Sequence, residues 1–366
     1  MDPRVKKLAD LLIRYSLGLK KGQILKIQGE VATLPLITAV YERALDAGAY
    51  PYTKVLIPQN EEYLLKHGND AQIGCFPPAA RLEVRKIDAY LSIWGAANTR
   101  YLSGVNPRKQ AVLQKAKKPL MDTFFKRAAG GELRWCGTQF PTEADAQDAD
   151  MSLADYMEFV FDAGQLNRKD PVAYWRKVGK DQDRLVRILN RSKHIHVLAP
   201  DTDLQLRVGG RKWISCDGHE NFPDGEIFTS PIENSAEGVI RYTFPAVYLG
   251  REVENVRLEF KKGKVVSERT DKNGAFLREM LNTDRGARYL GEFAIGTNYG
   301  IKRFSRNTLF DEKIGGTCHL AVGASYPETG GKNKSAIHWD MVCNLKKDSE
   351  IRADGKVIYR NGKFTI

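Results

Sequence analysis

Between residues 23 and 136 the sequence switches repeatedly between two hydrophobic periods, and that switching restricts the fold more than any other feature. Short apolar runs at 23–28, 49–57, 89–94 and 133–136 read as strands. Helical patterns lie between them. One opens at Thr33 and sets Leu36, Ile37, Val40, Tyr41, Ala44 and Leu45 on one face. Two shorter ones cover about 60–67 and 77–87, and a long one runs from about 107 to 128. Val5, Leu8, Leu11, Leu12 and Tyr15 predict a further helix over 3–17. Strands separated by helices pair in parallel, so an open, largely parallel sheet flanked by helices is expected for the first half.

Residues 143–192 are mostly helical, with Ser152 placed to cap one helix and Asp155 at its third position. At His194 the chain changes to short strands and tight turns. Residues 203–208 alternate strictly. Lys262-Gly263 and Asn361-Gly362 each stand between two strand patterns and predict hairpins. One helix, over 274–281, interrupts. The expected chain is α/β with two domains. Residues 1–192 form an N-terminal domain with a largely parallel sheet, flanking helices and a helical bridge. Residues 193–366 form a β-rich α+β domain, which the motifs below make the catalytic one.

A formal net charge of +12 raises nucleic acid as a partner, but the charge is +9 over residues 1–200 and only +3 over 201–366. The basic residues mix with acids on helical patterns, and no long basic tract or RNA-binding aromatic motif occurs. No nucleic-acid partner is expected. Neither glycine-rich nucleotide-binding pattern follows a strand. Cys75, Cys136, Cys216, Cys318 and Cys343 form no C-x-x-C pair, which argues against a disulfide framework and a thiolate zinc site. Scattered thiols fit a reducing cytoplasm. No apolar run has the length of a membrane span and the first residues do not resemble a signal peptide, so a cytoplasmic location and no membrane partner are expected.

The chemistry-bearing residues collect in the second half. His338 and Asp340 lie on a strand pattern in which Ile337, Trp339, Met341 and Cys343 form the opposite, apolar face. Two residues apart on a strand, they project together about 7 Å apart. Glu226 follows a Pro-Asp-Gly turn. Glu292 sits inside an otherwise apolar run, where a charge is costly without a partner. His319 stands between a Gly-Gly turn and a small apolar strand, with Tyr326 seven residues on. Two histidines and three carboxylates suit zinc, cobalt, manganese or magnesium. Five side chains exceed what one open tetrahedral zinc needs, and fit two adjacent ions sharing a carboxylate. His194 and His196, at a strand start with no acidic match, read as solvated, and Asp311-Glu312 reads as a plain surface pair.

The ordered motifs P-D-G-E-I-F-T-S-P, Y-L-G-E-F-A-I-G-T-N, N-T-L-F-D-E-K-I-G-G-T-C-H-L-A-V-G-A-S-Y and S-A-I-H-W-D resemble those of the M29 metalloaminopeptidases, of the aminopeptidase T and aminopeptidase S type. The resemblance is strong over residues 145–345. Over 1–130 it is only a pattern of elements. It implies metal ligands at Glu226, Glu292, His319, His338 and Asp340 and an active-site tyrosine at Tyr326. It also implies a homodimer whose sites face an internal cavity that admits short peptides. Met341-Val-Cys343 after the His-x-Asp pair and a short loop from Tyr326 to His338 depart from the family pattern.

The expected function is removal of N-terminal residues from short peptides by a water activated between two divalent ions. Tyr326 would stabilise the oxyanion, and Glu226 and Glu292 are the carboxylates from which a general base would come. Two alternatives remain. One is a two-metal phosphoesterase on the same ligands, with Lys332 and Lys334 against the phosphate. The other is a basic RNA- or protein-binding scaffold.

Overall fold

The computed structural model describes residues 2–366. The chain divides into two compact units. One runs up to Val172 and takes back Gly218–Pro223, and the other comprises Ala173–Asp217 and Asp224–Ile366. The division falls at the start of the helix Pro171–Leu189, ahead of the position expected at 192. The cause is packing: Leu185 and Leu189 of that helix join the core formed by Ile195, Val197 and the strands that follow.

In the first unit, β1 (Ile24–Glu30), β2 (Tyr50–Leu56), β3 (Ala89–Trp94) and β4 (Arg134–Gln139) are parallel, in the order β2-β1-β3-β4. The two-residue strand Asn221–Phe222 adds a fifth parallel member beside β4. Alternation along β1 and β3 gives the sheet two unlike faces. Leu25, Ile27, Leu91 and Ile93 are buried on one. The helix Leu34–Asp46 contacts β1 and β2 and buries its own Leu36, Ile37 and Val40. Lys26, Gln28, Tyr90 and Ser92 occupy the other face, towards the helices Pro78–Lys86 and Pro107–Ala129. The Ser152 cap forms as expected, its Oγ accepting from the Asp155 amide at 3.1 Å.

The second unit holds an eight-stranded antiparallel sheet and a five-stranded one. The larger includes the hairpin Arg257–Lys261 and Lys264–Arg269 and ends in Lys356–Arg360 and Lys363–Phe364. Asn361 and Gly362 both take positive φ, 46° and 84°, as a type I′ turn requires. The smaller sheet consists of β5 (Ile214–Cys216), β6 (Glu226–Thr229), β7 (Leu290–Gly296), β8 (Thr317–Gly323) and β9 (His338–Asn344), in the order β9-β8-β7-β6-β5. Phe293, Ile295, Leu320, Val322, Trp339 and Met341 from β7, β8 and β9 lie in the apolar core. Among the described residues no helix is long and apolar enough to cross a membrane.

Candidate metal centre

Register alone brings the five candidate ligands to one face of the smaller sheet. Asp340 pairs with Ala321, which pairs with Glu292; His319 pairs with Ala294, and Gly296 with Glu226. Directly paired residues share a face, as do residues two apart, so Glu226, Glu292, His319, His338 and Asp340 all project the same way. Trp339 points oppositely, 1 % exposed and stacked on Tyr248. Glu292 needs one further device. The ladder slips between Leu290 and Glu292, leaving Gly291 as the extra residue of a bulge. Leu290 therefore faces the core while Glu292 faces the ligands. A Cβ at Gly291 would lie 2.0 Å from the Ala324 carbonyl oxygen, so only glycine fits there.

The side chains converge. His319 Nε2 lies 3.3 Å from Glu226 Oε2, 3.6 Å from Glu292 Oε1 and 4.0 Å from Asp340 Oδ1. His338 Nε2 lies 3.1 Å from Glu292 Oε2 and 3.4 Å from Asp340 Oδ2. Each imidazole uses Nδ1 to donate to a main-chain carbonyl, His319 to Glu312 at 3.1 Å and His338 to Ala324 at 2.8 Å. A carbonyl only accepts, so both rings are fixed with Nε2 towards the carboxylates, the arrangement that orients ligating histidines. Two buried carboxylate oxygens, Glu226 Oε2 and Asp340 Oδ1, have no hydrogen-bond partner. Such atoms are costly in a protein interior, and a cation between them and the imidazole nitrogens removes that cost. The donor set is nitrogen and oxygen, and it fits one or two divalent ions.

The surroundings correct one expectation and add two residues. Asp311-Glu312 is not a surface pair. Asp311 is 4 % exposed and its Oδ1 accepts from the amide and hydroxyl of Ser305. Glu312 turns inward, and with Glu226 and His319 it offers ligand atoms within 4.8 Å of one another. Lys313 is buried beside it, its Nζ 2.9 Å from Glu226 Oε1 and 2.8 Å from Glu312 Oε2. In sequence the two stand in an Asp-Glu-Lys run between the apolar pair Leu309-Phe310 and Ile314, a context that does not distinguish a buried network from a surface turn. Cys216 and Asp224 also offer ligand atoms within 4.8 Å of Glu226. Tyr326 follows β8, packed edge-on against His338 at 5.0 Å and against Phe228 at 5.2 Å. Lys332 and Lys334 are exposed. His194 and His196 lie outside the group, and His196 pairs with Asp203 at 2.7 Å.

The charges are strongly coupled through the buried surroundings. Burial opposes a charge on His319, yet Glu226 and Glu292 outweigh it and push the imidazole up to about 9. Burial likewise opposes His338, and Asp340 and Glu292 raise it to about 12. Asp340 is held well below the usual carboxylate range, since His338 and His319 outweigh its burial. Burial pushes Glu312 up to about 8 despite Lys313. The cluster thus gathers positive charge around its carboxylates, with Lys313 as its one permanent cation.

A family model described as thermophilic metalloprotease (M29) matches residues 1–364. Aminopeptidase 2 of Geobacillus stearothermophilus is 27% identical over 414 residues, covering 100% of this chain and 98% of its own length. Aminopeptidase T of Thermus thermophilus is 27% identical over 405 residues, with 99% and 96% covered. The solved structure of wild-type AmpT from Thermus thermophilus superposes with a TM-score of 0.84 at 25% identity, covering 100% of this chain and 99% of that one.

Proposed function

The chain belongs to the M29 metallopeptidase family, and on that premise we propose that Glu226, Glu292, His319, His338 and Asp340 hold two divalent ions. The activity is that of a metal-dependent aminopeptidase acting on the N-termini of peptides. The observation that carries the ligand set is the pair of buried oxygens that accept no hydrogen bond, Glu226 Oε2 and Asp340 Oδ1, facing imidazole nitrogens whose tautomers are already fixed.

Divalent ions bound there supply Lewis acidity towards water and towards the scissile carbonyl. The protein's own groups do the rest. Glu292 directs one oxygen at each imidazole, so both of its oxygens would be available to hold divalent ions. Glu226 commits Oε1 to Lys313, so Oε2 is the oxygen with which it would hold a divalent ion. Glu312, whose carboxylate lies among the ligand atoms of Glu226 and His319, is placed to take the proton from the attacking water and return it to the leaving amine. Tyr326 donates its phenol to the oxyanion. Burial and the nearby carboxylates keep that phenol protonated, which a donor requires.

Zinc, cobalt, manganese and magnesium all suit these donors. A homodimer that encloses the sites, as the family resemblance implies, belongs to the same proposal, with short peptides as substrates. The test is chelator stripping followed by add-back of each metal, with Leu-p-nitroanilide, its N-acetylated form and p-nitrophenyl phosphate as substrates. Metal-restored cleavage of the free-amine substrate alone supports the proposal. Restored phosphatase activity without amide cleavage would replace it.

A further inference from the structure

The first unit contains a pocket that the peptidase chemistry does not use. It has a volume of about 430 Å³ and lies between the polar face of the parallel sheet and the helices Pro78–Lys86 and Pro107–Ala129. A parallel sheet covered on both faces ordinarily presents apolar residues to both. Here the covered second face carries Lys26, Gln28, Tyr90 and Ser92 instead. The walls are aromatic. Phe124 meets Tyr90 edge-on at 5.7 Å and Trp135 at 6.2 Å. Trp94 lies across β4, where a Cβ at Gly137 would come within 2.4 Å of the indole, so glycine there gives the ring its place. Polar groups at the floor of an aromatic-walled cavity of this size make a small-molecule site.

The charges select the ligand. Lys26 is buried and pairs with Glu83 Oε2 at 2.6 Å, and Glu83 Oε1 accepts from the Tyr52 hydroxyl at 3.0 Å. Both oxygens of the one acid in the pocket are therefore used. Lys117 is matched by Glu61 at 3.3 Å. Lys54 also lines the pocket, is exposed, and has no ion-pair partner among the described residues. One positive charge is thus left uncompensated beside an aromatic cavity.

We propose that this pocket binds a small aryl carboxylate, a flat apolar body with one acid group directed at Lys54. A zwitterionic amino acid fits poorly, because its ammonium would be set against Lys54 or left unpaired among aromatic rings.

Calorimetric titration of the intact chain with 3-phenylpropionate, 3-phenylpropionamide and phenylalanine tests this, using the wild type and Lys54→Gln. The wild type should bind phenylpropionate saturably, one per chain, about tenfold more tightly than the amide or the amino acid. Lys54→Gln should lose that preference and keep its thermal stability and its cleavage of Leu-p-nitroanilide, since Lys54 is exposed and belongs to the other unit. No saturable binding of phenylpropionate at millimolar concentration would overturn the proposal. So would equal affinity for the amide, or an unchanged preference in Lys54→Gln.

Discussion

Lys313 holds its ammonium 2.9 Å from Oε1 of Glu226, with 4 % of the lysine side chain and 8 % of the glutamate exposed. A buried ion pair of this kind contributes little net stability when complete, and breaking it strands a charge. Lys313→Met removes the one permanent cation from a group containing Glu226, Glu292, Glu312 and Asp340. In chelator-treated protein the variant should lose about 3–5 kcal/mol of unfolding free energy. With saturating divalent metal the loss should be smaller, because the ions then carry the compensation. Urea unfolding under the two conditions measures the difference. Equal losses would mean that Lys313 acts by packing alone.

Gly291 is the second lever. Its bulge turns Glu292 from the core face to the ligand face, and a Cβ there meets the Ala324 carbonyl oxygen. Gly291→Ala should cost about 1–3 kcal/mol of stability by overpacking. It should also weaken metal binding, since the carboxylate no longer meets both imidazoles. Metal titration of the folded variant checks the second effect separately from the first.

Tyr326→Phe keeps the ring that packs on His338 and Phe228 and removes only the hydroxyl. The expected result is a fall in kcat of roughly 10²-fold with KM and metal content little changed, as for loss of one oxyanion donor. A change confined to KM would place the hydroxyl in substrate binding instead.

Away from the centre, Glu268 accepts from Arg278 Nε at 2.9 Å and from Arg288 Nη1 at 3.1 Å. Burial raises its proton affinity, but the two guanidinium groups outweigh that and hold the carboxyl below its ordinary value. A depressed folded-state pKa contributes stability above the unfolded value, about 4.3, and loses it as pH falls through the lower folded value. Glu268→Gln should therefore cost about 1 kcal/mol at neutral pH, since the partners are partly exposed. That cost should fade as pH falls below the unfolded value and vanish once it is below the lowered folded value. Unfolding curves across pH decide this, and a cost that persists in acid would mean a hydrogen bond rather than a charge is lost.

Much of the architecture was legible because it rests on local periodicity. The strand at 89–94 and the helix at 274–281 occur where the pattern places them, and Asn361-Gly362 forms its turn. The strand Asn221–Phe222 was not legible: two residues carry no period, and they pair with β4 only through tertiary contact. The candidate ligands showed themselves as polar residues in apolar or glycine-rich surroundings. Glu312 and Lys313 did not, because adjacent charges of opposite sign look the same in sequence on a surface and in a buried network. Their burial depends on Asp311, which Ser305 anchors, and on strands far away in the chain. The bulge at Gly291 was hidden too, since a bulge is a property of two strands together.

If five side chains on one face of a sheet hold two ions, the ions can be counted. Chelator-stripped protein, dialysed against a known concentration of cobalt, should take up two ions per chain. His338→Ala and Glu292→Ala, folded but each lacking a ligand, should take up fewer and lose cleavage of Leu-p-nitroanilide. Uptake of fewer than two ions by the wild type, or full uptake and wild-type rates in both variants, would rule out the two-ion site.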